Sequence, residues 1–321
     1  MPLVNRFFLL LVLILFSLQS KSQSTHIRYP NIEVNDNIIV KALIQSPLLS
    51  LDISDKNKIG KKISYSPNIV ESIGAGFACN LLGLSVSIKL LRNEKKDLKY
   101  GKTDYNNFQV YLYGRRIGLE ASYQYYKGFY LFNAPSFDVN WNYNSKYPTI
   151  STMEINNLTI NCFYIFSRKF SIKASFNQTE RQLKSAGSFL FMASLNRIFV
   201  NSDSSLIPKT EKQNYSEFDA FRRGEFYNYE VSPGYAYSII LKRFYFTPML
   251  FIGGGYQKQE CNIKSKSDFG YKLGLKYFLG YNGKKIIIGA FGMNEIWFAK
   301  VSNAILQLYA SKYRFFIGYR W

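Results

Sequence analysis

Histidine is all but missing from this chain. His26 is the one imidazole in 321 residues, so a His-based metal site or a nucleophile–His pair has a single candidate and no second. Cysteine is nearly as scarce. Cys79, Cys162 and Cys261 lie far apart without a C-x-x-C, and an odd number permits at most one bridge. That excludes a disulfide scaffold and leaves the three as small apolar strand residues. Acids are few, 21 Asp+Glu against 41 Lys+Arg, for a net charge of +20. Beyond the N-terminus no apolar run approaches the roughly 20 residues of a membrane helix. Aromatics are plentiful, 26 Tyr and 27 Phe, which a disordered chain does not carry. The balance suits an all-β protein with wide apolar contact, soluble or membrane-embedded.

The N-terminus reads as a targeting segment. Arg6 precedes the apolar run Phe7–Phe16, and Ser17, Ser20, Ser22 and Ser24 follow. This is the pattern of a secretory signal peptide over residues 1–22. Removing it also removes Arg6 and Lys21, so the exported chain carries 20 − 2 = +18. We expect residues 23–58 to be an N-terminal extension with a possible first strand, and 59–321 to form the main domain. No linker, repeat or low-complexity segment divides it.

Period two dominates the rest. Leu84, Val86 and Ile88 alternate with Ser85, Ser87 and Lys89. Ile117, Leu119, Ala121, Tyr123 and Tyr125 alternate with Gly118, Glu120, Ser122 and Gln124. Phe170, Ile172, Ala174 and Phe176 alternate with Ser171, Lys173 and Ser175. The longest run takes every second residue from Phe269 to Tyr281, against Lys272, Lys276 and small residues between. On a strand each apolar set falls on one face. Several runs reach the ~9–11 residues of a membrane strand and carry Tyr or Phe at their ends. The chain closes Tyr313, Phe315, Ile317, Tyr319, Trp321, similar to the C-terminal strand signal of bacterial outer-membrane barrels, where Phe is the usual last residue.

Short basic turns (Gly114–Arg116, Ser167–Lys169, Lys242–Arg243, Asn282–Lys285) alternate with longer polar stretches (92–107, 131–152, 179–188, 201–230, 258–267). That is the layout of a closed antiparallel transmembrane β-barrel, with short periplasmic turns and longer extracellular loops. The strand candidates are 70–79, 84–91, 108–113, 117–129, 155–166, 170–178, 189–200, 232–241, 244–256, 269–281, 285–298 and 304–321. The range is 12–14, because 59–66 and a strand hidden in 201–231 would bring the number to fourteen and restore the alternation of turns and loops.

Arg or Lys on the lipid face at mid-bilayer costs about 2–4 kcal/mol. Lys89, Lys173, Lys272, Lys276, Arg314 and Arg320 are therefore expected to face the lumen, opposite Glu120 and few other acids. Such a lumen either favours anions, as pore or cavity, or is filled by its own side chains. Thr179, Glu180, Arg181 and Lys184 form a dense polar segment, read as an extracellular loop contact.

The residues also resemble a known family. Ser64–Asn68, Gly74-x-Gly76-Phe77, Tyr100–Thr103, Tyr125–Tyr130, Asn177–Gln182, Lys184–Ser188 and Pro233–Tyr237 look like domain-of-unknown-function family 4421 over roughly 37–321. The resemblance implies an outer-membrane barrel of Bacteroidota-type bacteria and adds no mechanism.

No chemical motif is complete. Gly101-Lys102-Thr103 lacks the upstream glycine of a phosphate loop, where Lys96 stands, and Gly253–Gly255 lacks dinucleotide-loop spacing. We expect no cofactor, no metal, no catalytic set and no enzymatic activity. The expected partners are outer-membrane lipid, lipopolysaccharide and the barrel-assembly machinery through the strand ending at Trp321, with no nucleic acid. The expected role is a small pore, transport or structural surface protein with a basic lumen. The rivals are a barrel-embedded hydrolase or acyltransferase, and a secreted soluble β protein binding acidic polymers.

Overall fold

The computed structural model describes residues 31–34, 38–68, 71–89, 93–138, 140–142 and 144–321. The signal-peptide reading and His26 lie outside them. Twelve strands make the wall: β2 (Ile39–Asp55), β4 (Ser72–Cys79), β5 (Leu82–Lys89), β6 (Asp104–Tyr113), β7 (Ile117–Leu131), β8 (Thr149–Ile165), β10 (Ala186–Asn201), β11 (Arg223–Leu241), β12 (Phe244–Cys261), β13 (Asp268–Asn282), β14 (Ile286–Val301) and β15 (Ala304–Arg320). Each pairs antiparallel with the next, and β15 pairs back onto β2 from Ala304↔Asp55 to Arg320↔Ile39. The ring is therefore closed and has no free edge, the condition for a sheet in hydrocarbon. Two short additions complete the strands. β3 (Ile63–Ser66) bridges β2 and β7 at the loop end. β1 (Ile32–Val34) pairs with β9 (Glu180–Gln182) in a separate two-stranded sheet. No helix among the described residues is long and apolar enough to cross a membrane.

Both termini of the wall and the tight turns 80–81, 114–116, 242–243 and 283–285 lie at one end, the periplasmic one. The longer connections 56–71, 90–103, 132–148, 202–222 and 262–267 lie at the other, where α1 (Glu94–Tyr100) is capped by Asn93. Eleven of the twelve strand candidates form wall strands. The exception is 170–178, replaced in the ring by Ile39–Asp55, which sequence had left as a possible first strand. The segment 201–231 hides no extra strand; β11 simply begins early, at Arg223. The wall thus has twelve strands, the lower bound of the expected 12–14.

The outer face is a greasy band. Along β13 the exposed apolar residues are Phe269, Tyr271, Leu273, Leu275 and Leu279, and along β12 they include Phe244, Phe246, Leu250, Ile252 and Tyr256. Aromatic pairs mark both rims: Tyr229 with Tyr256 and Phe269 with Tyr271 toward the loops, Phe244 with Tyr281 and Tyr319 with Trp321 toward the turns. From Phe244 to Tyr256, at ~3.3 Å per residue and ~40° of tilt, is about 30 Å along the membrane normal, close to the roughly 25 Å apolar band of such barrels.

Leu275 faces lipid, 39% exposed. Its neighbour Gly274 faces inward, where an added Cβ would meet Glu295 Cγ and Phe251 Cβ at an ordinary 3.8 Å. Leu275→Arg should therefore destabilise the barrel by about 2–4 kcal/mol, while Gly274→Ser should fold nearly normally. Heat-modifiable migration of the two variants on gels measures this, and equal tolerance would contradict the orientation.

Candidate functional site

The inward face of the wall is built in three tiers, seen most clearly on β8 and β10. On β10, Leu190 and Met192 are followed by Ser194 and Asn196 and then by Ile198 and Val200. On β8, in the opposite direction, Met153 and Ile155 precede Asn157, Thr159 and Asn161, and then Phe163 and Ile165. A polar tier lies between two apolar ones.

The polar tier is a connected network. Gln257 donates to Asn228 (2.6 Å), Asn228 to Asn196 (2.8 Å), Asn196 to Asn157 (2.6 Å) and Asn157 to Gln124 (2.9 Å), one amide from each of five successive strands. Lys276 Nζ lies 2.6 Å from Glu120 Oε2, and Tyr113 donates to the other oxygen. Lys272 Nζ is 3.8 Å from Glu295 and stands over the Trp297 ring at 5.2 Å. Both lysines are almost wholly buried, at 2% and 1%. Arg314 reaches Gln45 (2.9 Å), Ser85 (3.1 Å) and Gln109 (3.4 Å), and Lys312 reaches Asn107 (3.3 Å). Charges enclosed in this way are tolerable only when hydrogen-bonded or paired.

The loop end is shut by its own chain. Segment 202–222 turns into the mouth and buries Leu206, Ile207, Tyr215, Phe218 and Phe221 against Leu51, Ile53, Ile155, Val200, Trp297 and Leu306. Tyr65 donates to Leu206 O (3.0 Å) and Tyr215 to Lys61 O (2.9 Å). The Ser205 hydroxyl, with Lys212 at 3.1 Å, holds the Asp219 carboxyl below its ordinary range. A lowered carboxyl adds stability above its unfolded pKa and loses it as pH falls through the folded one, so this link serves the cap at neutral pH. Beside the mouth, Thr103 donates to Gly128 O (2.6 Å) and accepts from Asn68 N (2.8 Å). Gly128 has φ +89°, and a Cβ there would meet Lys102 O at 2.2 Å, so this crossing needs glycine.

The turn end is closed by a plug, and here the structure corrects the sequence reading. Segment 166–185, between β8 and β10, connects at the periplasmic side and folds into the lumen. Residues 170–178, expected as a strand, contain the short helix α2 (Ile172–Ser175). Ser171 caps it by accepting from Ala174 N (3.1 Å) and donates to Glu180 (2.5 Å). The alternating signal arose because the segment is enclosed on all sides. Phe170 and Ile172 join the aromatic tier, while Lys173 pairs with Glu180 (3.1 Å) and Ser175 shares a hydrogen bond with Thr247 (2.8 Å).

Thr179, Glu180, Arg181 and Lys184, read as an extracellular contact, lie at the opposite end. Glu180, 1% exposed, also binds Arg115 at 3.1 Å. Thr179 donates to Asn80 O (3.0 Å), and Arg181 pairs with Glu33 of β1 (3.2 Å). Lys184 alone is exposed to the turn side. Arg320 donates to Gln178 O (2.6 Å), Asn282 Oδ1 (2.7 Å) and Gly283 O (2.7 Å). Gly83 makes room for the plug, since a Cβ there would strike Asn177 Oδ1 at 2.4 Å.

Of the expected lumen residues, Glu120, Lys272, Lys276, Arg314 and Arg320 sit on the inner wall and Lys173 on the plug. Lys89 lies on β5, its side chain outside the described set. Sequence reasoning passed over Glu230, Glu295 and Lys312, although each falls on the inward parity of its strand, and over the amide ladder, whose residues are individually ordinary. No group of three or more His, Cys, Asp or Glu among the described residues is arranged to hold a metal ion.

These features define an outer-membrane β-barrel with a filled interior. The chain belongs to the family described as Domain of unknown function (DUF4421), whose model matches residues 32–321. No curated protein matches the sequence. Similar solved structures include the outer-membrane protease OmpT from Escherichia coli (7% identity, 89% of this chain and 97% of that one, TM-score 0.36). They also include the translocator domain of the autotransporter NalP from Neisseria meningitidis (8%, 89% of each chain, TM-score 0.35) and the P. putida toluene transporter TodX (7%, 89% and 90%, TM-score 0.26). The expectation that the chain is not an enzyme is withdrawn: a protease stands among the similar structures, and a likeness at this identity shows the fold alone.

Glu180 joins the plug to itself and to the wall. Glu180→Gln leaves Lys173 without a buried counter-charge and should cost about 3–5 kcal/mol. Trypsin should then cut at Lys169 or Lys184 faster than in the parent, while the barrel keeps its heat-modifiable mobility. Unchanged cleavage would mean that the carboxylate does not hold the plug.

Proposed function

We propose that this protein works as a closed, plugged outer-membrane barrel, a structural surface protein in its resting state rather than a standing pore. One observation carries the reading. The lumen is occupied along its whole length, by 166–185 at the turn end, by the polar tier in the middle and by 202–222 at the loop end. The interior spaces are small, about 40 Å³ beside Phe176 and about 20 Å³ beside Glu120 and Lys276, room for a few water molecules. The greasy band supports contact with outer-membrane lipid, and the exposed final pair Tyr319 and Trp321 supports β15 as the segment read by the assembly machinery.

A second reading, gated transport, draws on the plug. Beside the apolar contacts of Phe170, Ile172 and Phe176, its links to the wall include hydrogen bonds and ion pairs at Glu180, Gln178 and Arg320, which exchange with water more readily than an apolar core does. Planar-bilayer recording separates the two. The parent protein should show no steady conductance, and deletion of 170–184 alone should leave it closed, because the cap and the polar tier remain. Steady ohmic current from the parent would overturn the structural reading, and current from the plug deletion would favour gating.

A further inference from the structure

The charges of the lumen are unevenly matched. Lys173, Lys272 and Lys276 each have a carboxylate within ion-pair distance. Lys41, Lys312 and Arg314, on β2 and β15, have none among the described residues. Lys41 Nζ contacts Phe176 O (3.3 Å) and Gln178 Oε1, Lys312 contacts Asn107, and Arg314 contacts Gln45, Ser85 and Gln109. Every one of these partners is a neutral oxygen. The acids of the tier, Glu120, Glu230 and Glu295, stand on β7, β11 and β14. Cations grouped on one side of a barrel wrapped in hydrocarbon carry a desolvation cost that neutral oxygens offset only in part.

Two of these cations line one cavity. A space of about 40 Å³ lies between the plug and the wall, bordered by Lys41 and Arg314 and by Gly76, Gly83, Tyr111 and Phe176. Gly76 leaves room for the Lys41 stem, whose Cβ lies 3.4 Å from where a Cβ on Gly76 would stand. Arg314 uses Nε and Nη2 on Gln45, Ser85 and Gln109, and Tyr111 on the cavity wall is a further side-chain partner. The volume suits a small group such as a carboxylate or a halide.

We propose that this cavity is a binding site for a single small monovalent anion, a carboxylate or halide, held by Arg314 and Lys41 beneath the plug. The site stands on charge and geometry, so it is independent of whether the barrel conducts. Such an anion supplies the missing counter-charge and joins β15, β2 and the plug, through Lys41 and its bonds to Phe176 and Gln178. Its removal should loosen the plug.

The test uses the full chain, purified in neutral detergent, with thermal unfolding followed at constant pH and ionic strength. Formate or chloride replaces gluconate, an anion too bulky for the space. Formate should raise the unfolding temperature saturably. Arg314→Gln and Lys41→Met should each weaken the apparent formate affinity at least tenfold, and Lys285→Gln, at an exposed turn, should leave it unchanged. Crystals grown in bromide should show anomalous density in the cavity, a readout that needs no variant to fold. Equal unfolding temperatures in formate and gluconate, parent-like affinity in both lumen variants, or a cavity without bromide would each overturn the proposal. Phosphatidylglycerol in the micelle tests a lipid headgroup as the source of the charge; stabilisation by the lipid and not by formate would overturn the small-anion assignment.

Discussion

A ring of strands in hydrocarbon leaves its inward side chains no solvent but one another. That constraint governs the rest of the molecule. Lys272 and Lys276 are nearly as buried as the core leucines, and they are tolerable because Glu295 and Glu120 pair with them in a tier joined by a row of amides. The amide ladder is well suited to the task, since each Asn or Gln both donates and accepts and can pass the hydrogen bond on to the next strand. The apolar tiers above and below keep water from the pairs, which strengthens their attraction and raises the cost of breaking them.

Much of the wall was legible in the sequence, because a lipid-facing strand leaves a period-two record whatever its neighbours are. Phe269 to Tyr281 could be assigned residue by residue. The inward face was less legible. Its composition changes along each strand, as Leu190, Met192, Ser194, Asn196, Ile198, Val200 illustrate, and that slow change has meaning only when neighbouring strands are aligned. The same limitation hid the carboxylates Glu230 and Glu295 and left the lumen looking more basic than its paired regions are. Segment 170–178 misled for a different reason. Alternation there reflects two kinds of interior surroundings, aromatic and polar, and a single sequence does not distinguish an enclosed segment from a lipid-facing one. Ile39–Asp55 was underrated because its outer face mixes Ser46, Ser50 and Asp52 with apolar residues, which blurs the alternation.

The segments that carry the family resemblance gather mainly at the two closures rather than on the greasy exterior. Asn177–Gln182 belongs to the plug, with Gln178 at φ +58° directing its side chain toward Lys41, Ser175 O and Tyr245. Ser64–Asn68, Tyr100–Thr103 and Tyr125–Tyr130 meet beside the mouth, where Asn68, Thr103 and Gly128 interlock. A barrel exterior accepts many apolar side chains of similar size, whereas a turn that must place one amide against a carbonyl accepts few.

The plug lies midway along the chain, while the seam that shuts the ring joins the first wall strand to the last, along the full length of both. Segment 166–185 lies inside the ring that this seam closes, and β1, ahead of β2 in the chain, pairs with β9 of that segment. Zipping of β15 onto β2 spans nearly the whole sequence and is the slowest kind of pairing to form. In this architecture the contacts that hold the filling and those that shut the ring are far apart in the chain, so each can be weakened without touching the other.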